Sequence, residues 1–443
     1  MDISFLLSAL TKNKDAEAVV TESKIYSFSD LYNEYIIAKQ FLDQNEINKG
    51  QIVSIIADFS AKSIALLIAL IEKDCILVPI SLPVKEKERY ITISQSEFVI
   101  NFSDKYANIN KTDMVVSHEM LLGLKGKAPG LILFSSGTTG EPKAALHNLC
   151  YLLEKYKKPG KVLNTITFLL FDHIGGFNTL FHTLASGGKL VLTSSRDIDI
   201  VCRNIEKHRV ELLPTSPTFL NLLLLNKMYE KYDLSSLKVI SYGTEPMPQS
   251  TLVILHGIFP DTILKQTYGL SEIGIVSTKS ENSDSLWVKI GGEGVETKIV
   301  DDILHIRTKS AMIGYLNAPS PFDDGGWFNT KDKVELREDG YIKILGRVTD
   351  LINVGGEKVY PIEVEGIMLK FEGVKDVRVF GEKNPLTGNI VVAEVQVDNE
   401  NNNKEFVKKL RIYCVENLER FKIPVKFMLV EHELYSDRLK KKR

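Results

Sequence analysis

The chain has 443 residues, 44% of them hydrophobic and 25% charged, with a net charge of −2. That length supports more than one domain with a sizeable core, and the composition is that of a soluble globular protein, not a disordered one. The near balance of charge offers no electrostatic footprint for nucleic acid or an anionic membrane surface. The start, MDISFLLSALTKNKD, has an acid at Asp2 and no basic residue before its short apolar segment, unlike a signal peptide. The longest apolar run, Ile64 to Ile71, is too short to span a bilayer, so a cytoplasmic location is expected. Cys75, Cys150, Cys202 and Cys414 are scattered without a CxxC pair and read as buried or bystander thiols in a reducing compartment.

In chain order, Tyr26–Leu31 reads as a strand end followed by a helix with Ser29 as its N-cap. Gln51–Asp58 predicts a strand, Ala61–Glu72 an apolar helix and Cys75–Ile80 another strand. The same rhythm returns at Thr165–Phe171, Phe177–Ala185, Lys189–Thr193 and Val239–Tyr242. Such alternation predicts an α/β fold with mostly parallel sheets. The tail from about Leu351 changes character: short strands at Val374–Gly381 and Ile390–Val397, a helix at Lys404–Leu418 and a last strand at Val425–Val430. The expected organisation is a large multi-subdomain α/β N-terminal domain over residues 1–347, a hinge at 348–350, and a small mobile α+β C-terminal domain over 351–443.

Chemistry concentrates at Leu131–Ala145, LILFSSGTTGEPKAA. The apolar run Leu131–Phe134 suggests a buried strand, and it stops at a turn rich in hydroxyls and glycine. Ser135, Ser136, Thr138 and Thr139 offer donors, Gly137 and Gly140 let backbone N–H groups turn toward an anion, and Lys143 adds a point charge beside Pro142. This suits a polyphosphate, although a polar strand-to-helix turn with a surface lysine has the same ingredients. The kinase-type P-loop is excluded: only two residues separate Gly137 from Gly140, and Ala144 follows Lys143.

A second cluster, Tyr268-Gly269-Leu270-Ser271-Glu272, brings an aromatic face, a hydroxyl and a carboxylate into one tight turn. Tyr268 can stack, Ser271 can reach a phosphate oxygen and Glu272 can hold Mg²⁺; the same turn could equally use Ser271 and Glu272 as helix caps. Asp332, after Gly326-Trp327-Phe328, has a carboxylate suited to a ribose diol.

The string SSGTTGEPK closely resembles the phosphate loop of adenylate-forming enzymes, the acyl- and aryl-CoA synthetases and adenylation domains, and the later motifs follow in that family's order. By that resemblance Tyr268 stacks on adenine, Ser271 contacts the α-phosphate in place of the usual Thr, and Glu272 is the metal ligand. Tyr242, Gly243 and Thr244 resemble the adenine-edge turn. Trp327–Asp332 resembles GWFxTGD, with Lys331 where Gly is usual, and implies that Asp332 binds ribose. Arg347 would reach the ribose or phosphate. The pivot falls on Thr349 or Asp350, and Gly355-Gly356 resembles the loop lining a thiol tunnel.

Phe171–Phe177 resembles the wall of the acid pocket. His173 would gate the carboxylate, Gly175 and Gly176 would leave room for substrate, and Phe177, Tyr242 and Gly269 would line the pocket. Counted back from Gly187-Gly188, His173 fits the gate better than Asp172 fits an amine-binding position, which favours an aryl or acyl acid over an amino acid. The chain lacks the family's terminal Gly-Lys; Lys440, Lys441 or Arg438 would fill that catalytic role.

The resemblance implies a stand-alone ligase using ATP and Mg²⁺. It would form an acyl-adenylate with release of pyrophosphate, then transfer the acyl group to CoA or to the phosphopantetheine of an acyl-carrier protein. Amino-acid adenylation and a catalytically impaired adenylate-binding protein are the competing expectations. A small-molecule acid is the expected partner, with no nucleic acid and no membrane span.

Overall fold

The computed structural model describes residues 2–102, 108–136, 141–397, 403–436 and 439–442. The fold is a large α/β N-terminal domain with a smaller α+β C-terminal one, and by packing the chain divides into two compact units.

The first unit comprises Met1–Pro214, Gly269–Val276 and Arg307–Phe328. Its seven-stranded sheet runs Asn108–Lys111, Phe98–Asn101, Ile52–Ile56, Ile76–Ile80, Gly130–Ser136, Pro142–Asn148, Gly314–Tyr315. The inner strands are parallel, and both margins are antiparallel. Ile52–Ile56 and Ile76–Ile80 are buried at every position, as strands covered on both faces must be.

Their alternation divides the side chains between two cores. Val53, Ile55 and Leu77 join a core built with helices Phe28–Gln44, Ala61–Glu72 and Ile174–Ala185, whereas Ile52, Ile76, Val78 and Ile80 join another. The first core also takes in Val19 and Leu190, from a second group of strands. There Glu17–Val20, Leu190–Val191 and Thr165–Ile166 run parallel, with Ile25–Ser27 antiparallel at the margin.

Local chemistry sets the element ends. Ser27, not Ser29, caps the helix Phe28–Gln44: its hydroxyl accepts from the Asp30 N–H at 3.0 Å, and Asp30 accepts from the Ser27 N–H at 2.8 Å. The expectation of Ser29 missed this reciprocal box. The strand expected over 165–171 stops at Ile166, because the Phe168 N–H turns back onto the Ile166 carbonyl at 3.0 Å.

The second unit comprises Thr215–Tyr268, Ser277–Ile306 and Asn329–Arg443. Val239–Tyr242 lies parallel to Ile263–Gln266, with helix Gln249–Ile258 between them in sequence. Trp287–Gly291, Ile342–Arg347 and Phe328–Leu336 form an antiparallel set. After a single 3-10 turn at Val348–Asp350 comes a five-stranded sheet: Glu357–Val359, Ile352–Val354, Gly388–Val397 and Val374–Asn384, with Lys426–Val430 parallel to Gly388–Val397. Helices Pro361–Met368 and Lys404–Asn417 supply Val364, Met368, Phe406, Leu410 and Cys414 to a core with Val377, Val379, Val391 and Val395.

Cys75, Cys202 and Cys414 are buried and Cys150 is half-buried; none forms a disulfide. Burial pushes the Cys75 thiol up to about 12, which keeps it protonated and inert. Among the described residues no helix is long and apolar enough to cross a membrane.

Candidate active site

Both flanks of the glycine-rich turn are strands. Gly130–Ser136 pairs antiparallel with Pro142–Asn148, in register from Gly130 opposite Asn148 to Ser136 opposite Pro142. The segment after the glycine-rich stretch is thus a strand, not the helix that a strand-to-helix junction would supply. Ser135 pairs with Lys143. Gly137, Thr138, Thr139 and Gly140 lie outside the described residues, as do Arg438 and the side chain of Ser136.

A segment that carried no weight in the sequence reading fixes this strand pair from its outer side. Gly314 and Tyr315 pair with Leu146 and Ala145, and the Leu316 N–H donates to the Ala144 carbonyl at 2.9 Å. The Asn317 amide then brackets Lys143: its Oδ1 accepts from the Ala144 N–H at 3.0 Å, and its Nδ2 donates to the Pro142 carbonyl at 2.8 Å. The Lys143 ammonium sits 5.4 Å from the centre of the Tyr315 ring, within cation–π range. The Tyr315 hydroxyl donates to the Glu272 carboxylate. Lys143, Tyr315 and Glu272 thus form one connected line.

The turn carrying Glu272 is held at two further points. The Met312 N–H donates to the Glu272 carbonyl at 2.7 Å, and His147 Nε2 lies 2.6 Å from the Ser271 carbonyl. His147 is fully buried, and burial lowers its pKa to about 4 despite that hydrogen bond. The ring is therefore neutral near pH 7, and with a carbonyl partner Nε2 carries the proton. Gly269 is required by close approach: a Cβ there would come 2.4 Å from Ile275 Cδ1 and 2.7 Å from the Gly274 carbonyl.

Among the described residues no three His, Cys, Asp or Glu side chains converge as a metal site. Mg²⁺ bound with a nucleotide uses one or two protein carboxylates and takes phosphate oxygens and water for the rest. Glu272, half-buried and oriented by Tyr315, fits that requirement.

The expected acid-pocket wall is organised by helix packing. His173 is the N-cap of helix Ile174–Ala185, its Nδ1 accepting from the Gly175 N–H at 3.0 Å. A Cβ at Gly176 would fall 1.9 Å from the Leu170 carbonyl, and one at Gly175 would fall 2.6 Å from Leu169 Cδ1. Both glycines are thus required by the close approach of the 169–170 segment. The Phe177 ring is buried 4.5 Å from that of Phe181, in the first core, and Asp172 is buried, accepting from the Ser81 N–H at 3.3 Å.

In the second unit three anticipated nucleoside-binding residues meet. The Tyr268 hydroxyl donates to Asp332 at 2.5 Å, and Arg347 Nε lies 3.5 Å from the same carboxylate, opposite Asp332 in the ladder. Both Tyr268 and Asp332 are buried. Burial raises the Asp332 carboxyl above its ordinary value, opposed by the Tyr268 hydroxyl and the Arg347 charge. Lys331 has φ +60°, so this side chain bears the steric cost of a left-handed backbone.

Thr244 also has positive φ, +73°, and is exposed. A β-branched residue held there is strained, as residues at binding turns often are. Neighbouring Gly243 admits no side chain, since a Cβ would lie 2.6 Å from Thr267 Oγ1. The Tyr242 hydroxyl is buried without a hydrogen-bond partner among the described residues.

Thr349 donates to the Asp350 carboxylate at 3.1 Å inside the 3-10 turn. Gly355 and Gly356, at φ +61° and +96°, are the exposed two-residue turn between Ile352–Val354 and Glu357–Val359, with positive φ at both positions as a type I′ hairpin demands. The tail is tied down. The Ser216 hydroxyl donates to the Leu439 carbonyl at 2.7 Å, and the Lys441 N–H donates to Glu245 at 2.9 Å. The Lys441 ammonium is committed to Asp376 and to the Val377 carbonyl. Lys440 is half-buried, its carbonyl accepting from the Ser436 N–H at 2.8 Å.

Known proteins share this plan. The AMP-binding enzyme family matches residues 7–316, and the AMP-binding enzyme C-terminal domain matches 363–441. A 2-succinylbenzoate–CoA ligase of Bacillus cereus is 24% identical over 97% of this chain and 94% of its own. That of Listeria innocua is 26% identical over 94% of this chain and 92% of its own, and that of Listeria monocytogenes 28% identical over 68% of this chain and 66% of its own. Among solved structures, an anthranilate CoA ligase with anthranoyl-AMP superposes with a TM-score of 0.83 at 19% identity, over 99% of this chain and 95% of that one. An amide bond synthetase from Marinactinospora thermotolerans gives 0.76 at 20% identity, over 98% and 97%.

Proposed function

The chain belongs to the family of AMP-binding, adenylate-forming ligases, and from that premise we propose that it activates an aryl or acyl carboxylic acid with ATP and passes the acyl group to the thiol of CoA. In the first step a carboxylate oxygen attacks the α-phosphorus, and the bond to the bridging oxygen breaks. Pyrophosphate leaves, and the acyl-adenylate remains. In the second step the thiolate attacks the acyl carbon and AMP leaves. Catalysis of this type rests on positioning and on charge placed in advance.

The observation that carries the reading is the line Lys143–Tyr315–Glu272 on strand Pro142–Asn148 and its neighbours. Lys143, with Ser135, Ser136 and the 137–140 turn, would hold the departing phosphates. Ser271 would meet the α-phosphate. Glu272 would hold Mg²⁺, which when bound offsets phosphate charge. Asp332 and Arg347 would take the ribose, Tyr268 and the Gly243–Thr244 turn the adenine, and Lys440 or Lys441 would steady the charge at the α-phosphate. A pivot at Thr349 or Asp350 would bring Gly355-Gly356 to the thiol.

The aryl acid and CoA are supported by relatives named as 2-succinylbenzoate–CoA and anthranilate–CoA ligases. A second reading, an adenylate-binding protein without catalysis, draws support from the burial of the Lys441 ammonium against Asp376. ATP–pyrophosphate exchange over a panel of aryl, acyl and amino acids separates the two. Exchange with aryl or acyl acids, followed by thioester with CoA, is the expected result. Transfer only to a carrier protein or an amine would redirect the second step, and ATP binding without exchange for any acid would refute the enzyme.

A further inference from the structure

Resting on the proposed reaction, we infer that Tyr315 is a positioning residue that fixes the metal-holding carboxylate and the phosphate-holding ammonium relative to each other. One side chain serves both groups. The hydroxyl donates to the Glu272 carboxylate, and the ring lies 5.4 Å from the Lys143 ammonium. Tyr315 is itself held tightly: it is 7% exposed, it pairs with Ala145, and it packs in a small core with Ala145 and Met312. Met312 returns to the same turn, its N–H donating to the Glu272 carbonyl at 2.7 Å. Asn317, two residues on, clasps the backbone on both sides of Lys143. The segment 312–317 therefore sets Glu272 and Lys143 from one continuous piece of chain.

This arrangement has a chemical consequence. A carboxylate left free to rotate would present its lone pairs in many directions, and Mg²⁺ demands near-ideal octahedral geometry. With the Tyr315 hydroxyl on one oxygen, the other oxygen is oriented before the nucleotide arrives. The loss of that bond should thus appear in the part of nucleotide affinity that depends on the metal, and not in the part that depends on Lys143.

The test is ATP binding by calorimetry, with Mg²⁺ and with chelator, in the full chain and in Tyr315→Phe and Tyr315→Leu. Tyr315→Phe should cut the gain in affinity brought by Mg²⁺ about tenfold, since a hydrogen bond to a charged partner is lost, and leave metal-free binding unchanged. Tyr315→Leu, which also removes the ring, should weaken metal-free binding as well. A Tyr315→Phe protein that keeps the whole Mg²⁺ gain, or that loses metal-free and metal-supported binding equally, overturns the inference. A wild-type protein that gains nothing from Mg²⁺ overturns it too. Absence of exchange with every acid would refute the proposed reaction instead, while the binding comparison still reports on Tyr315.

Discussion

Acidification should act on this protein through His147, and the size of the effect follows from its setting. The ring is fully buried on strand Pro142–Asn148, opposite Leu131, and is bonded to the Ser271 carbonyl. Its pKa falls to about 4 in the folded chain, against about 6.5 when unfolded. The unfolded chain therefore takes up the proton first as pH falls. Stability linked to this group is complete above pH ~6.5, is lost as pH falls from there toward ~4, and changes no further below. Integrated to pH ~4.5, the two values correspond to a loss of about 2.5 kcal/mol. Urea unfolding of wild type and of His147→Gln, at pH ~7 and ~4.5, isolates the term, because other carboxylates titrate alike in both. The glutamine amide can still donate toward Ser271 but does not titrate in this range. Its loss of stability on acidification should be smaller than that of wild type by about 2 kcal/mol. Parallel losses in the two proteins would refute the assignment of a buried neutral imidazole.

Three further outcomes are expected. Lys331→Gly relieves a left-handed side chain at φ +60° and should stabilise the protein by about 1 kcal/mol; a lower unfolding midpoint would count against the strain. Asp376→Asn leaves the Lys441 ammonium buried without its counter-charge, where each side chain is 8% exposed, and should cost about 3 kcal/mol. Much of that loss should return in Asp376→Asn/Lys441→Met, and a double variant as weak as the single would show that the pair is not coupled. Lys143→Ala should slow adenylation more than thioester formation from supplied acyl-adenylate; equal losses would mean that the loop does not hold the leaving phosphates.

How far the sequence reveals this molecule depends on the distance between interacting residues. The helix Ala61–Glu72 and the strand Val239–Tyr242 have the expected bounds, because their signals, above all the apolar run Ile64–Ile71 in the helix, lie within the elements themselves. The motif residues were readable for the same reason, being close in sequence, although the single tight turn expected of them is not formed: Tyr268–Leu270 is a strand, and only Ser271 and Glu272 lie in the turn after it. Asp332 meets Arg347 through strand pairing and Tyr268 through a side-chain hydrogen bond from 64 residues away, neither of which a local pattern announces.

Tyr315, Asn317 and His147 escaped notice because each acts on a partner far along the chain, with nothing beside it to mark the role. Gly176 has a packing role that its motif does not announce: a Cβ there would meet the Leu170 carbonyl. Lys331 was visible as a departure from a familiar glycine, and only the backbone angle shows the steric cost that it bears.

The central claim is that a carboxylic acid is activated at the α-phosphate of ATP by a site including Lys143 and Glu272. It is tested most directly by identifying the nucleotide and phosphate products in a single turnover with α-labelled ATP, Mg²⁺ and an accepted aryl or acyl acid. Acid-dependent formation of acyl-AMP and pyrophosphate is expected, with conversion to AMP and thioester when CoA is added. Formation of ADP and inorganic phosphate, or nucleotide turnover indifferent to the acid, would contradict it.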